Sequence, residues 1–236
     1  MRMEGGSMTI RGNGLWREYK GLVMFIACML VFRSAFADWN YVPSSSMNPT
    51  LLAGDRVVVN KLAYSLRVPF TLAQIKRWAK PQVGDVVTFD SPADGLNLIK
   101  RVVAVEGDTV QMVNNELLVN GAVQERQLVD AVRVVPTEHG ALALQVWRER
   151  LGSFSHETAL IPALNLHKSF GPVNVPVGHV MVLGDSRDNS RDSRFIGFID
   201  IQRITGRAER VVMSHNPDRF YLPRAHRWWL ALEERS

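Results

Sequence analysis

The chain has a single cysteine, Cys28, so it cannot form an intramolecular disulfide in any compartment. Cys28 lies within an apolar run, where cysteine usually behaves as a small hydrophobic residue rather than as a redox centre or a metal ligand. No segment repeats at a fixed period, and the 17 glycines and 11 prolines are spread along the chain. These features are typical of an ordinary globular protein. Its 236 residues and 46% apolar content suffice for one large domain or for one domain with an elaboration.

Clustered positive charge is also lacking, although the formal net charge is +5. The basic residues are scattered, and no helix carries a stripe of lysine or arginine. Nucleic-acid binding requires a clustered electrostatic footprint. We therefore predict no nucleic-acid partner.

No histidine pattern supports metal or histidine-based catalysis, because neither H-E-x-x-H nor a tight ligand pair occurs. We expect no cofactor, and we expect each histidine at the surface or in the core: His139, His156, His167, His179, His215 and His226.

One apolar run is present, from Gly21 to Phe32, and it is shorter than the roughly 20 residues that span a bilayer. Arg33 and Ser34 interrupt it before Ala35-Phe36-Ala37. An arginine near a helix end can extend its charged head to the interface. We predict a transmembrane anchor over residues 21–38, with two alternatives: a secretory signal cleaved at the A-x-A-like site, and a buried core helix.

Basic residues precede this segment and, after Ala37, are missing as far as Arg56. That asymmetry predicts a cytoplasmic tail over residues 1–20 and an extracytoplasmic remainder. At the other end of the chain, Trp228 and Trp229 stand among basic residues. Such a pair is typical either of a membrane interface or of packing on the core.

After residue 40 the pattern predicts a mostly β fold, with turn signals every ten or so residues. Asn114-Asn115 and Asn120-Gly121 mark two turns. Leu72 to Trp78 is predicted as a short helix, and Ala141 to Leu151 is ambiguous. The predicted strands are Arg56–Asn60, Asp85–Phe89, Leu98–Val105, Val110–Val113, Leu117–Val119, His179–Leu183 and Glu209–Met213.

Ser46 and Lys100 are the candidate catalytic residues. Ser46 lies in a serine cluster between Pro43 and Pro49, and Lys100 follows the apolar pair Leu98-Ile99. A serine hydroxyl needs an adjacent base, and lysine is a known one when it is neutral. Burial on a strand lowers a lysine pKa, and strand alternation would point Arg101 to the other face. Taken singly, a serine-rich loop is usually only a loop, and a lysine at a strand start is usually solvated.

A dense polar loop, Gly184 to Arg194, is the third feature. Its aspartates could bind calcium, but arginines alternate with them, and a hard cation disfavours cationic neighbours. An internally salt-bridged turn is the better interpretation.

Together these segments resemble the sequence boxes of bacterial signal peptidase I, a Ser–Lys endopeptidase family. The matching segments are Ser44 to Leu51, Gly84 to Val87, Lys100 to Val103 and Gly184 to Arg194, in that order. The resemblance covers roughly residues 30–110 and 150–215. The family often has two membrane helices, and this chain offers one.

The resemblance implies a role for each matching residue. Ser46 would attack the scissile carbonyl, and Lys100 would act as base and then acid. The Ser46 amide and the Ser44 hydroxyl would form the oxyanion hole, and Ser190 would orient the lysine. Asp185, Asp192 and Arg194 would stabilise the loop, while small substrate pockets would be lined by Val42, Pro43, Leu51 and Ile99.

The implied fold is a signal-peptidase-like β-domain, formed by residues 39–122 and 179–236, with a small variable cap at residues 123–178. The implied protein is a monomeric peptidase of the bacterial cytoplasmic membrane. It would cleave preprotein signal peptides after A-x-A on the outer face, without a cofactor.

Three alternatives remain. A specialised processing peptidase of a secretion or conjugation system would share the chemistry. A self-cleaving regulator of the LexA type would need a DNA-binding helix-turn-helix, which the sequence does not show. A non-catalytic, membrane-tethered β-scaffold would bind secreted partners.

Overall fold

The computed structural model describes residues 19–26, 29, 37–68, 71, 73–137, 140–164, 168–217 and 220–232. Most of these residues form strands, which confirms the predicted mostly β fold. In chain order the strands are β1 (Ala37–Tyr41), β2 (Asp55–Asn60), β3 (Ser65–Arg67), β4 (Gln74–Arg77), β5 (Val86–Asp90), β6 (Asn97–Val105), β7 (Thr109–Val113), β8 (Glu116–Val119), β9 (Ala122–Val123), β10 (Arg126–Thr137), β11 (Gly140–Leu151), β12 (Phe154–Leu160), β13 (Phe170–Asn174), β14 (His179–Leu183), β15 (Ile199–Asp200), β16 (Ile204–Asn216), β17 (Leu222–Pro223) and β18 (Leu230–Ala231).

The main sheet has the order β1-β2-β16-β5-β6-β14-β15, with β17 and β18 added to β16. Every neighbouring pair along this order is antiparallel. β6 lies near the middle and is buried from Lys100 to Ala104. Lys100 is paired in register with Val87 of β5. The sheet therefore holds the candidate base in its interior.

A second sheet, β13-β7-β8-β9, contains both predicted asparagine turns. Asn114 and Asn115 have φ of 49° and 67° between β7 and β8, and Asn120 and Gly121 have φ of 54° and 78° between β8 and β9. Two-residue hairpin turns need this left-handed backbone, which asparagine and glycine tolerate best. The turn predictions are confirmed.

The middle stretch, residues 123–178, contributes a three-stranded antiparallel sheet, β10-β11-β12, and the edge strand β13. The ambiguous segment Ala141–Leu151 is strand throughout. Because β13 pairs with β7, the end of this stretch joins a sheet built mainly from residues before 123.

The predicted helix at Leu72–Trp78 is wrong, because strand β4 occupies most of it and pairs with β3. The backbone N–H of Trp78 donates to the carbonyl of Tyr64 at 3.0 Å, and the Trp78 indole donates to the carbonyl of Leu62 at 3.0 Å. Ile75 is exposed. The three-residue spacing of Ile75 and Trp78 imitates a helical face, but no apolar surface covers it, and pairing with β3 satisfies the backbone instead.

Residues 19–26 are helical, and the side chains of Leu22 to Ile26 are all exposed. In the part of the chain that the structure describes, no helix is long and apolar enough to cross a membrane. Cys28, Arg33 and most of the predicted tail and anchor lie outside the described residues.

The other helical pieces in the described ranges are the turn Ser193–Ile196 and two 3-10 turns, Pro162–Leu164 and Ala225–Arg227. Trp228 and Trp229, which follow the last of these, are 46% and 64% exposed. Both indoles therefore present aromatic surface to the outside, and the choice between a membrane interface and packing on the core stays a prediction.

Candidate active site

Ser46 lies in a tight, buried turn between β1 and β2. The N–H of Asn48 donates to the carbonyl of Ser45 at 3.0 Å, and the N–H of Leu51 donates to that of Met47 at 2.9 Å. The side chains of Met47 and Leu51 are fully buried in the cluster that includes Val57 and Val59 of β2. This anchoring fixes the backbone on both sides of Ser46, whose own exposure is 8%.

Lys100 extends from β6 to Ser46. Its Nζ lies 2.7 Å from Ser46 Oγ and 2.8 Å from the carbonyl oxygen of Ile99. Among the described residues these are its only hydrogen-bond partners, and no carboxylate forms an ion pair with it. Burial lowers the pKa of the Lys100 amine from 10.5 to about 8, although the carboxylates of Asp192 and Asp185 act in the opposite direction. A buried lysine in this state can accept the proton of a neighbouring hydroxyl.

Donors for a developing oxyanion are available beside Ser46. The half-buried Ser44 hydroxyl lies 3.3 Å from Ser46 Oγ. Within the described ranges, no acceptor is hydrogen-bonded to the backbone N–H of Ser46. A free backbone N–H and a hydroxyl on the same side of a nucleophile are the groups that stabilise tetrahedral intermediates of acyl transfer.

The polar loop after β14 packs directly on the Ser46 turn. The N–H of Ser186 donates to the carbonyl of Ser46 at 3.2 Å, and Asn189 Nδ2 donates to Ser45 Oγ at 2.7 Å. A Cβ on Gly184 would lie 2.2 Å from Ser190 Oγ and 2.5 Å from the Ser46 carbonyl oxygen. Gly184 therefore permits an approach that no other residue type would allow.

Asp192 organises the same loop. Its carboxylate accepts hydrogen bonds from the Gly184 N–H at 2.9 Å and from Arg194 Nε and Nη2 at 2.8 and 2.7 Å. Burial alone would raise the pKa of Asp192, but its hydrogen bond and attraction to Arg194 outweigh burial and hold that pKa below its ordinary value. The loop is an internally ion-paired turn. Among the described residues, no group of metal-ligating side chains is arranged to hold a metal ion.

Ser190 is buried next to this centre, where its hydroxyl is among the groups that lower the pKa of Asp192, but it makes no hydrogen bond to Lys100. The Lys100 amine contacts Ser46 and Ile99 in its place. The orienting role of Ser190 therefore stays a prediction.

The Asp185 carboxylate accepts hydrogen bonds from two residues to which the sequence alone assigns no function. Arg101 Nε and Nη2 donate to its carboxylate at 2.9 and 2.8 Å, and Thr50 Oγ1 donates at 2.6 Å. The side chains of Arg101 and Asp185 are both almost fully buried. Arg101 follows Lys100 on the strand, and Thr50 follows the Ser46 turn, so Asp185 links the two segments that carry the candidate pair.

The predicted pocket residues are only partly brought together. Val42, Leu51 and the half-buried Ile99 lie in one apolar cluster next to the Ser46 turn, while Pro43 is exposed. Val42 and Leu51 are almost fully buried, so the substrate pocket that these residues would line stays a prediction.

Among the histidines that the structure describes, His156 lies near this centre. It is in the core, where its Nε2 lies 3.6 Å from Asp185 Oδ1. Burial, followed by the nearby Arg101 cation, lowers the pKa of His156 to about 4. His139 and His167 lie outside the described residues.

Comparison with known proteins settles the family. The family described as signal peptidase, peptidase S26, matches residues 15–213. The chain belongs to this signal peptidase family. A signal peptidase I of Pseudomonas fluorescens is 36% identical over 204 residues, which cover 81% of this chain and 69% of the relative. That of Pseudomonas aeruginosa is 36% identical over 205 residues, with the same two coverages.

A chloroplast relative extends the family beyond bacteria. The thylakoidal processing peptidase 1 of Arabidopsis thaliana is 33% identical over 202 residues, covering 81% of this chain and 46% of the relative. As a member of the signal peptidase family, the chain is a serine endopeptidase.

Proposed function

We propose that this signal peptidase family member removes signal peptides from exported preproteins, with Ser46 as nucleophile and Lys100 as general base. The observation that carries the proposal is the 2.7 Å contact between Lys100 Nζ and Ser46 Oγ in a buried site. Burial favours the neutral amine, which is the form that a base needs. The family relatives named signal peptidase I supply the substrate class.

The mechanism uses only groups of the chain itself. Neutral Lys100 takes the hydroxyl proton as Ser46 attacks the scissile carbonyl. The Ser46 N–H and the Ser44 hydroxyl stabilise the oxyanion. Lys100 then gives the proton to the leaving amine, and water attacks the acyl-enzyme with Lys100 again as base. Val42, Pro43, Leu51 and Ile99 would restrict the substrate to alanine-sized side chains, which gives the A-x-A preference.

We infer that the enzyme is a single-pass protein of the bacterial cytoplasmic membrane, with its site on the outer face. Leu22 to Ile26 expose five consecutive apolar side chains on a helix, which is unfavourable in water and favourable in lipid. Trp228 and Trp229 expose aromatic surface of the kind found at membrane interfaces. Carbonate extraction of membranes would leave an anchored protein in the pellet, whereas a protein cleaved after Ala37 would be released at a lower mass.

The catalytic test is cleavage of a preprotein that carries an A-x-A site. Ser46→Ala and Lys100→Ala should each abolish cleavage while the far-UV circular dichroism stays native. Lys80→Ala is the matched control, because Lys80 is an exposed lysine paired with Glu106. Activity retained in either active-site variant would contradict the mechanism. A specialised processing peptidase would cleave its own substrates but not general preproteins, and a scaffold would cleave neither.

A further inference from the structure

Buried charge continues from the active site into the β10-β11-β12 sheet. Glu149 of β11 is fully buried and forms a bidentate ion pair with Arg187 of the polar loop, with Oε1 at 3.0 Å from Nη1 and Oε2 bonded to Nη2. His156 of β12 lies between Glu149 and Asp185, with its Nε2 3.6 Å from a carboxylate oxygen of each. Neither ring nitrogen of His156 is hydrogen-bonded within the described residues.

The backbone of β12 also binds this loop. The N–H of Ala159 donates to the Asp185 carbonyl at 2.8 Å, and the N–H of Arg187 donates to the Ala159 carbonyl at 2.9 Å. The N–H of Ile161 donates to Asp188 Oδ2 at 2.8 Å. Residues 185–188 therefore extend the β10-β11-β12 sheet, called the middle sheet below, along one side. They contact the Ser46 carbonyl through Ser186.

The buried arginines around the polar loop are paired one to one with carboxylates. The three arginines are Arg101, Arg187 and Arg194, and each has one carboxylate partner, namely Asp185, Glu149 and Asp192 respectively. Only Glu149 comes from the middle sheet. Without its charge, Arg187 would be a buried guanidinium with no ion-pair partner, which is strongly unfavourable, and the loop would move to hydrate it.

We propose that Glu149 is a positioning residue for the peptidase reaction. Through Arg187 it holds residues 184–188 against the Ser46 turn, and this keeps Ser46 within hydrogen-bond distance of Lys100. Glu149 touches no reacting atom, so it acts on geometry alone. The middle sheet is then an integral part of the active site. The inference rests on the proposed function, because it assigns the role to the Ser46–Lys100 reaction.

The test compares Glu149→Gln with Glu157→Gln in the full-length enzyme. Glu157 is the matched control, because it lies on β12 and pairs with Arg133 at a part-exposed position, and within the described residues it has no ion pair with the polar loop. We expect Glu149→Gln to lower kcat for preprotein cleavage at least thirtyfold with KM changed less than twofold. Glu157→Gln should change neither by more than twofold. Rates are measured well below each variant's thermal midpoint, so that a smaller folded fraction does not contribute.

A double variant separates positioning from simple destabilisation, and it also decides the question if Glu149→Gln does not fold. Glu149→Gln with Arg187→Gln leaves no unpaired buried charge, so we expect kcat about tenfold below wild type, above that of Glu149→Gln. Arg187→Gln alone completes the cycle, and if the two residues act as a pair, the losses of the two single variants are not multiplicative in the double variant. The proposal would be overturned by a wild-type kcat in Glu149→Gln or in the double variant. It would also be overturned by an effect on KM alone, or by losses in kcat that multiply.

A second readout distinguishes this inference from the proposed function. Acylation of Ser46 by a β-lactam-type inhibitor, followed by intact mass, reports the reactivity of the serine without a preprotein. Slow acylation in Glu149→Gln supports positioning, and wild-type acylation there refutes it while the proposed function stands. A wild-type enzyme that neither cleaves preprotein nor is acylated would overturn both.

Discussion

The protonation state of Lys100 should set the acid limb of the pH–rate profile. Burial lowers its pKa from 10.5 to about 8. That difference corresponds to about 3 kcal/mol, and at pH 7.5 it raises the neutral fraction from about 0.1% to about a quarter, a gain of roughly two hundredfold. Because only the neutral amine is a base, kcat/KM should rise about tenfold per pH unit up to pH 7 and level off above pH 8.

The assay is cleavage of a peptide with an A-x-A site in detergent micelles between pH 5.5 and 10. Asp192 is among the groups that raise the Lys100 pKa, so Asp192→Asn should move the limb to lower pH, even if its loss of loop contacts lowers the maximum rate. Lys100→Arg should be inactive at every pH, since arginine is always protonated. A limb near pH 10, or a rate independent of pH between 5.5 and 8, would refute the idea of a lysine made neutral by burial.

Three further perturbations follow from the same contacts. Lys100→Met should abolish activity yet stabilise the fold by about 1–3 kcal/mol at neutral pH, measured by urea denaturation. The reason is that the pKa of the Lys100 amine is lower in the native state than in the unfolded state, which costs stability until the pH rises past both values. A less stable variant would contradict this. Ser44→Ala should lower kcat about 10²–10³-fold with little change in KM, measured in the cleavage assay, and a change in KM alone would argue against an oxyanion role. His156 has a native pKa of about 4 against 6.5 when unfolded, so the native state binds fewer protons in between, and stability should fall as pH drops through that window. His156→Asn should remove up to about 1.4 kcal/mol per pH unit of this slope, and an unchanged slope would show that other groups cause it.

The local pattern was sufficient for the parts of the site that depend on strand alternation and turn chemistry. β14 has the predicted bounds His179–Leu183, and the asparagine turns follow from the backbone that asparagine tolerates. The burial expected for Lys100 follows from its apolar neighbours on β6. These features are set within ten or so residues, which is the range over which periodicity carries information.

The sequence could not predict features that depend on distant pairing. Glu149 and His156 look like ordinary polar residues of a weakly periodic stretch, and only the docking of β12 on the loop after β14 gives them a place beside Asp185. From the sequence, Lys100 and Arg101 look like a solvated basic pair. Only the fold brings Arg101 to its partner Asp185, which lies 84 positions along the chain. The false helix at Leu72–Trp78 has the same origin, because β3 decides its structure.

Lys100 and Arg101 are successive residues on β6, one a titratable base and the other a guanidinium clamped by Asp185. A slip of one residue against β5 would move Arg101 into the position of Lys100 and present Ser46 with a group that never loses its proton. Catalytic activity therefore depends on the hydrogen-bonding register between β5 and β6. The same slip would move the buried side chains of β6 to the opposite face of the sheet, so the register that buries this strand also fixes which residue faces Ser46.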